Sequence, residues 1–294
     1  MRAAIDHIPE ARETARAIGC MEVWGGHDGF SGAVSVPGND VFVSCMPCFG
    51  DEQGGDVYYV SNCAAGLITR FVLADVSGHG HEVSGIARCL RDLMRRHINR
   101  ADQSRLAMAL NREFGRAGHA GRFATAVLLT YFAPTDHLIL CNAGHPRPLF
   151  YSAAVREWRL LDGETPGVDA SGHPEDVGIA NLPLGILHPT NYEQVALPLG
   201  PGDVIVLYSD ALIEAETANG PLGEQGLLRL AQRLDPARPE SLPDCLRAEV
   251  CAAAGAGSLD DDATVIVLHH NGSDPDRPGL VERATILARM LGLR

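Results

Sequence analysis

Four aspartates in this chain stand where apolar runs begin or end. Asp56 follows Gly54 and Gly55 and leads into Val57-Tyr58-Tyr59-Val60, and Asp75 closes the run Ile68–Ala74 and opens the sequence DVSGHG. Asp210 ends GDVIVLYSD, and Asp261 with Asp262 opens DDAT ahead of the last apolar run. Aspartate is disfavoured in strand interiors, so repeated carboxylates at the rims of buried strands need a cause. For any one of them, a turn or a helix cap is the ordinary cause. Several rims meeting in one place would crowd negative charge, and such carboxylates are tolerable when cations neutralise them. Oxygen donors without a Cys or His framework suit Mg²⁺ or Mn²⁺ better than zinc. Gly78 and Gly80 beside Asp75 let the backbone leave the strand abruptly and approach a ligand closely. His79 and His81 follow in the same stretch. Either is a candidate proton donor to a leaving oxygen, as is a water held by a cation, although a histidine beside a metal loop more often orients a ligand.

The elements that must carry these residues are readable in outline. Ile68–Ala74 is a continuous apolar run of strand length. Val83, Ile86, Ala87, Leu90, Met94 and Ile98 recur at three and four residues, which predicts a helix with one buried face. A second helix is expected over 103–114. Residues 123–132 and 137–142 read as strands joined by a turn at Ala133-Pro134-Thr135-Asp136. Further strands are expected at 148–152, 157–161, 204–208 and 263–268, with helices near 223–234 and 242–254. Residues 24–56 are Gly-rich with one short strand at Val41-Phe42-Val43, and the Gly-, Asp- and Pro-rich residues 162–182 read as an excursion from the sheet. Hairpins with helices in blocks favour an α+β antiparallel fold over βαβ alternation. The expected domain runs from residue 23 to 270, with a helical extension over 1–22 and a short amphipathic helix over 271–294.

Composition removes several chemistries. The formal charge is −13 with 46% hydrophobic and 21% charged residues, so nucleic acid and anionic lipid are poor partners. All 24 basic residues are arginine. A P-loop lysine, a protein-kinase lysine, a Schiff-base lysine and a Ser–Lys pair are therefore excluded. The eight cysteines lie among apolar residues, and Cys45-Met-Pro-Cys48 is a lone CxxC without the second pair that a zinc knuckle needs. No secretory segment and no apolar run near ~20 residues is found, so the expected compartment is the cytoplasm, with free thiols.

The ordered set Gly54-Gly55-Asp56, DVSGHG (75–80), NAGHP (142–146), YSDALIEA (208–215) and DDAT (261–264) resembles the metal-dependent type 2C (PPM) protein phosphatases, in their bacterial SpoIIE-like branch. The similarity covers roughly residues 40 to 270. It implies two packed antiparallel sheets flanked by helix pairs, with two divalent cations, Mn²⁺ or Mg²⁺, at one end of the sandwich. On that resemblance Asp75 would bridge both ions, and the Val76 carbonyl could add a ligand. Asp210 and Asp261 would hold the first ion, Asp56 the second, and Asp262 an accessory cation. Gly144 and His145 would shape the site. A water activated by the ions would attack phosphorus in line, with no phospho-enzyme. The implied partner is a phosphorylated regulator of the anti-anti-sigma type. Two departures stand out: Gly54–Tyr59 reads GGDVYY where the family shows GGDYYD, and Ala211 replaces the glycine that usually follows YSD. The rival readings are a catalytically weak scaffold of the same fold and another two-metal phosphoesterase.

Overall fold

The run Ile68–Val76 is apolar at almost every position because both of its faces are covered. Phe71 and Leu73 enter a core shared by two sheets, whereas Val72, Ala74 and Val76 pack beneath helices. The computed structural model describes residues 16–17, 23–48, 53–63, 66–78, 81–97, 102–117, 121–162, 169–171 and 180–273.

Two large sheets form the centre. The first contains β1 (Arg16–Ala17), β3 (Phe30–Val36), β4 (Asn39–Met46), β9 (Leu149–Ser152), β10 (Glu157–Leu160), β13 (Val204–Tyr208) and β16 (Ala263–His270), in the order β1-β3-β4-β16-β13-β9-β10. The second contains β2 (Val23–Asp28), β5 (Gln53–Cys63), β6 (Ile68–Val76), β7 (Ala124–Phe132), β8 (His137–Ala143), β11 (Asp169–Ser171) and β12 (Gln194–Pro198), in the order β11-β12-β8-β7-β6-β5-β2. A small hairpin, β14 (Glu216–Thr217) with β15 (Gly220–Pro221), stands apart. Within the two large sheets the ladders between these strands are antiparallel apart from the β1–β3 pair.

Three apolar clusters make four layers. Between the sheets lie Val43, Tyr58, Phe71, Leu129, Leu207 and Ile266, among others. Outside the second sheet, α1 (His81–His97) and α2 (Gln103–Arg116) bury Val83, Leu90, Leu106 and Phe114 against Val57, Val72 and Leu128. Outside the first sheet, α3 (Ala211–Glu214), α4 (Gly223–Ala231) and α5 (Leu242–Ala254) bury Leu212, Leu227 and Leu246 against Val206 and Val265. The expected α+β sandwich of two antiparallel sheets flanked by helices is the fold observed. The turn at 133–136 closes with Asp136 in the left-handed region at φ 51°.

Some segments differ from expectation. The Gly-rich stretch 24–56 holds three strands and the start of a fourth, because glycine lets the backbones of β2 and β5 lie in contact: a Cβ on Gly25 would collide with the Tyr58 carbonyl. The excursion expected over 162–182 contains a sheet strand, since Asp169, Ala170 and Ser171 pair with Ala196, Val195 and Gln194. Three residues at a sheet edge need no hydrophobic alternation, so nothing in the sequence announces them. In the stretch expected as an N-terminal helix, Arg16–Ala17 is a strand paired with Val34 and Ser35. The rest of that stretch, and residues 274–294 of the expected C-terminal helix, lie outside the described residues. No helix among the described residues is long and apolar enough to cross a membrane.

Candidate active site

Strand register brings the acids to one end of the sandwich. In the second sheet, Asp56 near the start of β5 is the direct partner of Asp75 near the end of β6, and Asp75 in turn faces Thr125 of β7. In the first sheet, β13 and β16 run antiparallel with Tyr208 opposite Val265. The residues after β13 and those before β16 therefore share a rim, carrying Ser209 and Asp210 on one side and Asp261 and Asp262 on the other. The two rims face each other. Asp75 lies in the field of Asp210, Asp261 and Asp262, and Asp56 in that of Asp75 and Asp262.

This crowding shows in the protonation of the acids. Burial first, then Asp210, Asp261, Asp262 and Glu214, push the Asp75 carboxyl up to about 7. Burial, Glu214 and Asp261 push Asp210 up to about 6, opposed by the amides of Ala211 and of Asp210 itself. Asp56 is raised well above the usual carboxylate range by burial and by Asp75. It is 1% exposed, and neither of its carboxylate oxygens has a hydrogen-bond partner. The Ser209 and Thr264 hydroxyls lie near enough to moderate it, but their own hydrogen bonds run to the Asp262 carbonyl and to Cys45 Sγ. Among the described residues no three acids, histidines or cysteines are gathered tightly enough to enclose a cation outright. The acids share a rim and a field; they do not form a finished cage.

The remaining expected residues divide. Asp261 is exposed, and its Oδ1 accepts the Asp262 N–H at 2.8 Å. Asp262 has both oxygens engaged by backbone amides, those of Cys48 at 2.7 Å and Gly55 at 2.6 Å. Val76 is buried, and its carbonyl oxygen faces Gly55, where an added Cβ would lie 3.0 Å away. His79 lies outside the described residues. Ala211 is buried and begins α3 in helical conformation, so this site makes no demand for glycine after Asp210. Cys45 and Cys48 carry free thiols. Burial and Asp56 push the Cys45 thiol up to about 12, which leaves it protonated and unreactive.

Sequence reasoning gave no role to several residues that structure the rim. Glu214 stands one helical turn after Asp210 and adds negative charge beside Asp75 and Asp210; the i, i+4 spacing is the signal that could have found it. Ser209 Oγ accepts the Thr264 N–H at 2.9 Å while donating to the Asp262 carbonyl at 3.0 Å. Arg122 Nη1 donates to the Ser77 carbonyl at 2.9 Å, and its guanidinium rests against Gly78, where any Cβ would collide with it.

His145 joins the two sheets. Its Nε2 lies 3.1 Å from the Tyr208 carbonyl and its Nδ1 2.8 Å from Thr125 Oγ1. A carbonyl can only accept, so Nε2 carries the proton and Nδ1 accepts from the threonine hydroxyl. The Asn142 side chain grips the backbone of His145 at both its N–H and its carbonyl. Burial lowers the imidazole from 6.5 to about 3, opposed by the Tyr208 carbonyl, so the ring is neutral at ordinary pH. One ring thus connects Thr125, the cross-strand neighbour of Asp75, with β13, which leads into Asp210.

Comparison with known proteins sets this rim in context. Residues 68–271 match the family model of stage II sporulation protein E (SpoIIE). Phosphoserine phosphatase RsbU of Bacillus subtilis (strain 168) is 26% identical over 205 residues, which are 68% of this chain and 51% of RsbU. The chain therefore spans about half the length of that relative. The solved RsbU and RsbW domains of Rv1364c from Mycobacterium tuberculosis align with a TM-score of 0.61 at 22% identity, covering 87% of this chain and 70% of that one. RsbX in complex with magnesium aligns with a TM-score of 0.57 at 14% identity, covering 82% and 99%.

Proposed function

This chain belongs to the stage II sporulation protein E family of PP2C-like phosphatases, and on that premise we propose that it removes phosphate from phosphoserine or phosphothreonine on a partner protein. The observation that carries the reading is Asp56: a buried carboxylate without a hydrogen-bond partner, directly opposite Asp75 on the paired strand. Such a pair is costly unless positive charge joins it. Hard oxygen donors on facing rims fit a divalent cation of the Mg²⁺ or Mn²⁺ type.

In this reading Asp56, Asp75, Asp210 and Asp261 hold two such ions, with the Val76 carbonyl as a further donor. When bound, the ions supply Lewis acidity that activates a water and neutralises charge on the phosphoryl group. The chain's own residues do the rest. The β5–β6 and β13–β16 registers hold the acids on opposed rims, and the neutral His145 bridge keeps those rims at a set separation. Arg122, at the Ser77-Gly78 turn beside Asp75, pairs with phosphoryl oxygens of the substrate as they approach this acidic end. His79 is the proposed donor of the proton to the leaving seryl or threonyl oxygen.

The proposed partner is a phosphorylated regulatory protein of the anti-anti-sigma type, in keeping with the similarity to a phosphoserine phosphatase. The proposed compartment is the cytoplasm, in keeping with the free thiols of Cys45, Cys48, Cys89, Cys141, Cys245 and Cys251. The test is release of phosphate from a phosphoserine peptide and from p-nitrophenyl phosphate with Mn²⁺, Mg²⁺ or chelator. Turnover that requires the ion and disappears in Asp75→Asn supports the proposal. A wild-type chain that binds neither ion overturns it.

A further inference from the structure

The surroundings of Asp262 describe a task other than holding an accessory cation. Its Oδ1 accepts the Cys48 N–H at 2.7 Å, and its Oδ2 accepts the Gly55 N–H at 2.6 Å. Cys48 lies just beyond β4, Gly55 sits in β5 immediately before Asp56, and Asp262 immediately precedes β16. One side chain therefore ties together segments from both sheets. The main chain of the same residue is held as well: its carbonyl accepts from Ser209 Oγ, next to Asp210. Hydrogen bonds from amides to an ionised carboxylate are short and about twice as strong as neutral ones.

Gly54 completes the arrangement. A Cβ built there would lie 2.5 to 2.8 Å from the Asp262 carboxylate atoms, so the absent side chain is the space the carboxylate occupies. Any other residue at 54 would drive the carboxylate off the Gly55 amide. The first glycine of GGD and the second aspartate of DDAT, 208 positions apart in sequence, are thus two halves of one contact.

We propose that Asp262 is a positioning residue: its carboxylate clamps the Gly55–Asp56 backbone to the Asp261 turn and so sets the spacing of Asp56 and Asp261, without itself ligating a cation. This rests on the phosphatase reading for its consequence, though not for the clamp itself. Removing the clamp loosens the Asp56 backbone and weakens cation binding, while the set of ligands stays complete.

The experiment compares the full chain with Asp262→Asn and Gly54→Ala by two readouts. The first is hydrogen exchange at the Cys48 and Gly55 amides in chelator, and the second is calorimetric titration with Mn²⁺. In Asp262→Asn, both amides exchange about tenfold faster or more, because a hydrogen bond to a charged acceptor is lost. Mn²⁺ affinity falls about 10- to 100-fold, as for other groups that orient ligands, with the number of ions per chain unchanged. Gly54→Ala, which keeps every aspartate, reproduces both changes, and the double variant is no worse than the more severe single one. Loss of one ion with the remaining affinity intact makes Asp262 a ligand and overturns the proposal. Unchanged exchange at both amides overturns it too. If the wild-type chain binds no Mn²⁺, the phosphatase reading fails, and the exchange contrast alone decides the clamp.

Discussion

Asp56 and Asp75 are direct cross-strand partners on β5 and β6, two carboxylates held side by side by the sheet itself. Like charges placed opposite one another weaken a sheet, and burial removes the water that would screen them. The pair is a local cost to folding that the rest of the second sheet, with its covered strands β6 and β7, sustains.

Relief of that cost distinguishes a functional pair from a structural one. Asp75→Asn is expected to cut cation-dependent turnover at least about a hundredfold, in the range seen when a single electrostatic group is removed from an active site. In chelator at neutral pH the same variant should melt no lower than wild type, and up to about 2–4 °C higher for each kcal/mol of repulsion removed. Thermal unfolding beside p-nitrophenyl phosphate turnover checks both. A large drop in melting temperature would mark Asp75 as a structural residue.

The raised acids also set a pH dependence. In the folded chain Asp75 and Asp210 keep their protons up to about 7 and about 6, against 3.8 for the ordinary carboxyl. Between those values the native state binds more protons than the unfolded chain, so stability falls as pH rises. Their favourable contribution is complete below the ordinary value and gone above about 7. Melting curves in chelator should therefore fall toward the alkaline end, and Mn²⁺ should raise the melting temperature most where the acids are ionised. An equal Mn²⁺ effect at every pH would contradict this.

His145 makes the opposite contribution. Its folded value of about 3 lies below the ordinary 6.5, so the unfolded chain binds the extra proton in that window and stability is lost as pH falls through it. His145→Leu strands the Thr125 hydroxyl and the Tyr208 carbonyl and should cost about 1–3 kcal/mol for each buried group left unpaired. The variant's stability should also depend less on pH between those two values. Denaturant unfolding across that range gives the comparison, and an identical slope in both proteins would remove His145 as the titrating group.

Arg122 offers a test of substrate contact. Arg122→Ala is expected to raise KM for a phosphoserine peptide about tenfold or more, from loss of a charged hydrogen bond, while Mn²⁺ affinity measured by titration stays unchanged. Arg122→Lys should recover part of the loss, since a single ammonium pairs with phosphate less well than a guanidinium. A change in Mn²⁺ affinity with KM unaltered would make Arg122 a support of the Ser77-Gly78 turn instead.

The local content of this protein is legible in its residues. The helices at α1, α2, α4 and α5 follow from apolar residues at three- and four-residue spacing, and β6, β7, β13 and β16 from apolar runs of strand length, because both signals depend on near neighbours alone. The four rim aspartates were legible for the same reason, as acids at the edges of buried runs. Tertiary structure decided what depends on distant segments. It set Asp56 opposite Asp75, turned Asp262 toward the Gly55 amide, brought Arg122 to the Asp75 turn, and made His145 a bridge between sheets. The edge strand Asp169–Ser171 exists only because β12 offers it a ladder. Side-chain periodicity records which face of an element is covered, but hydrogen-bond partners across a sandwich are chosen by strand register and sheet order, and no short stretch of sequence contains those.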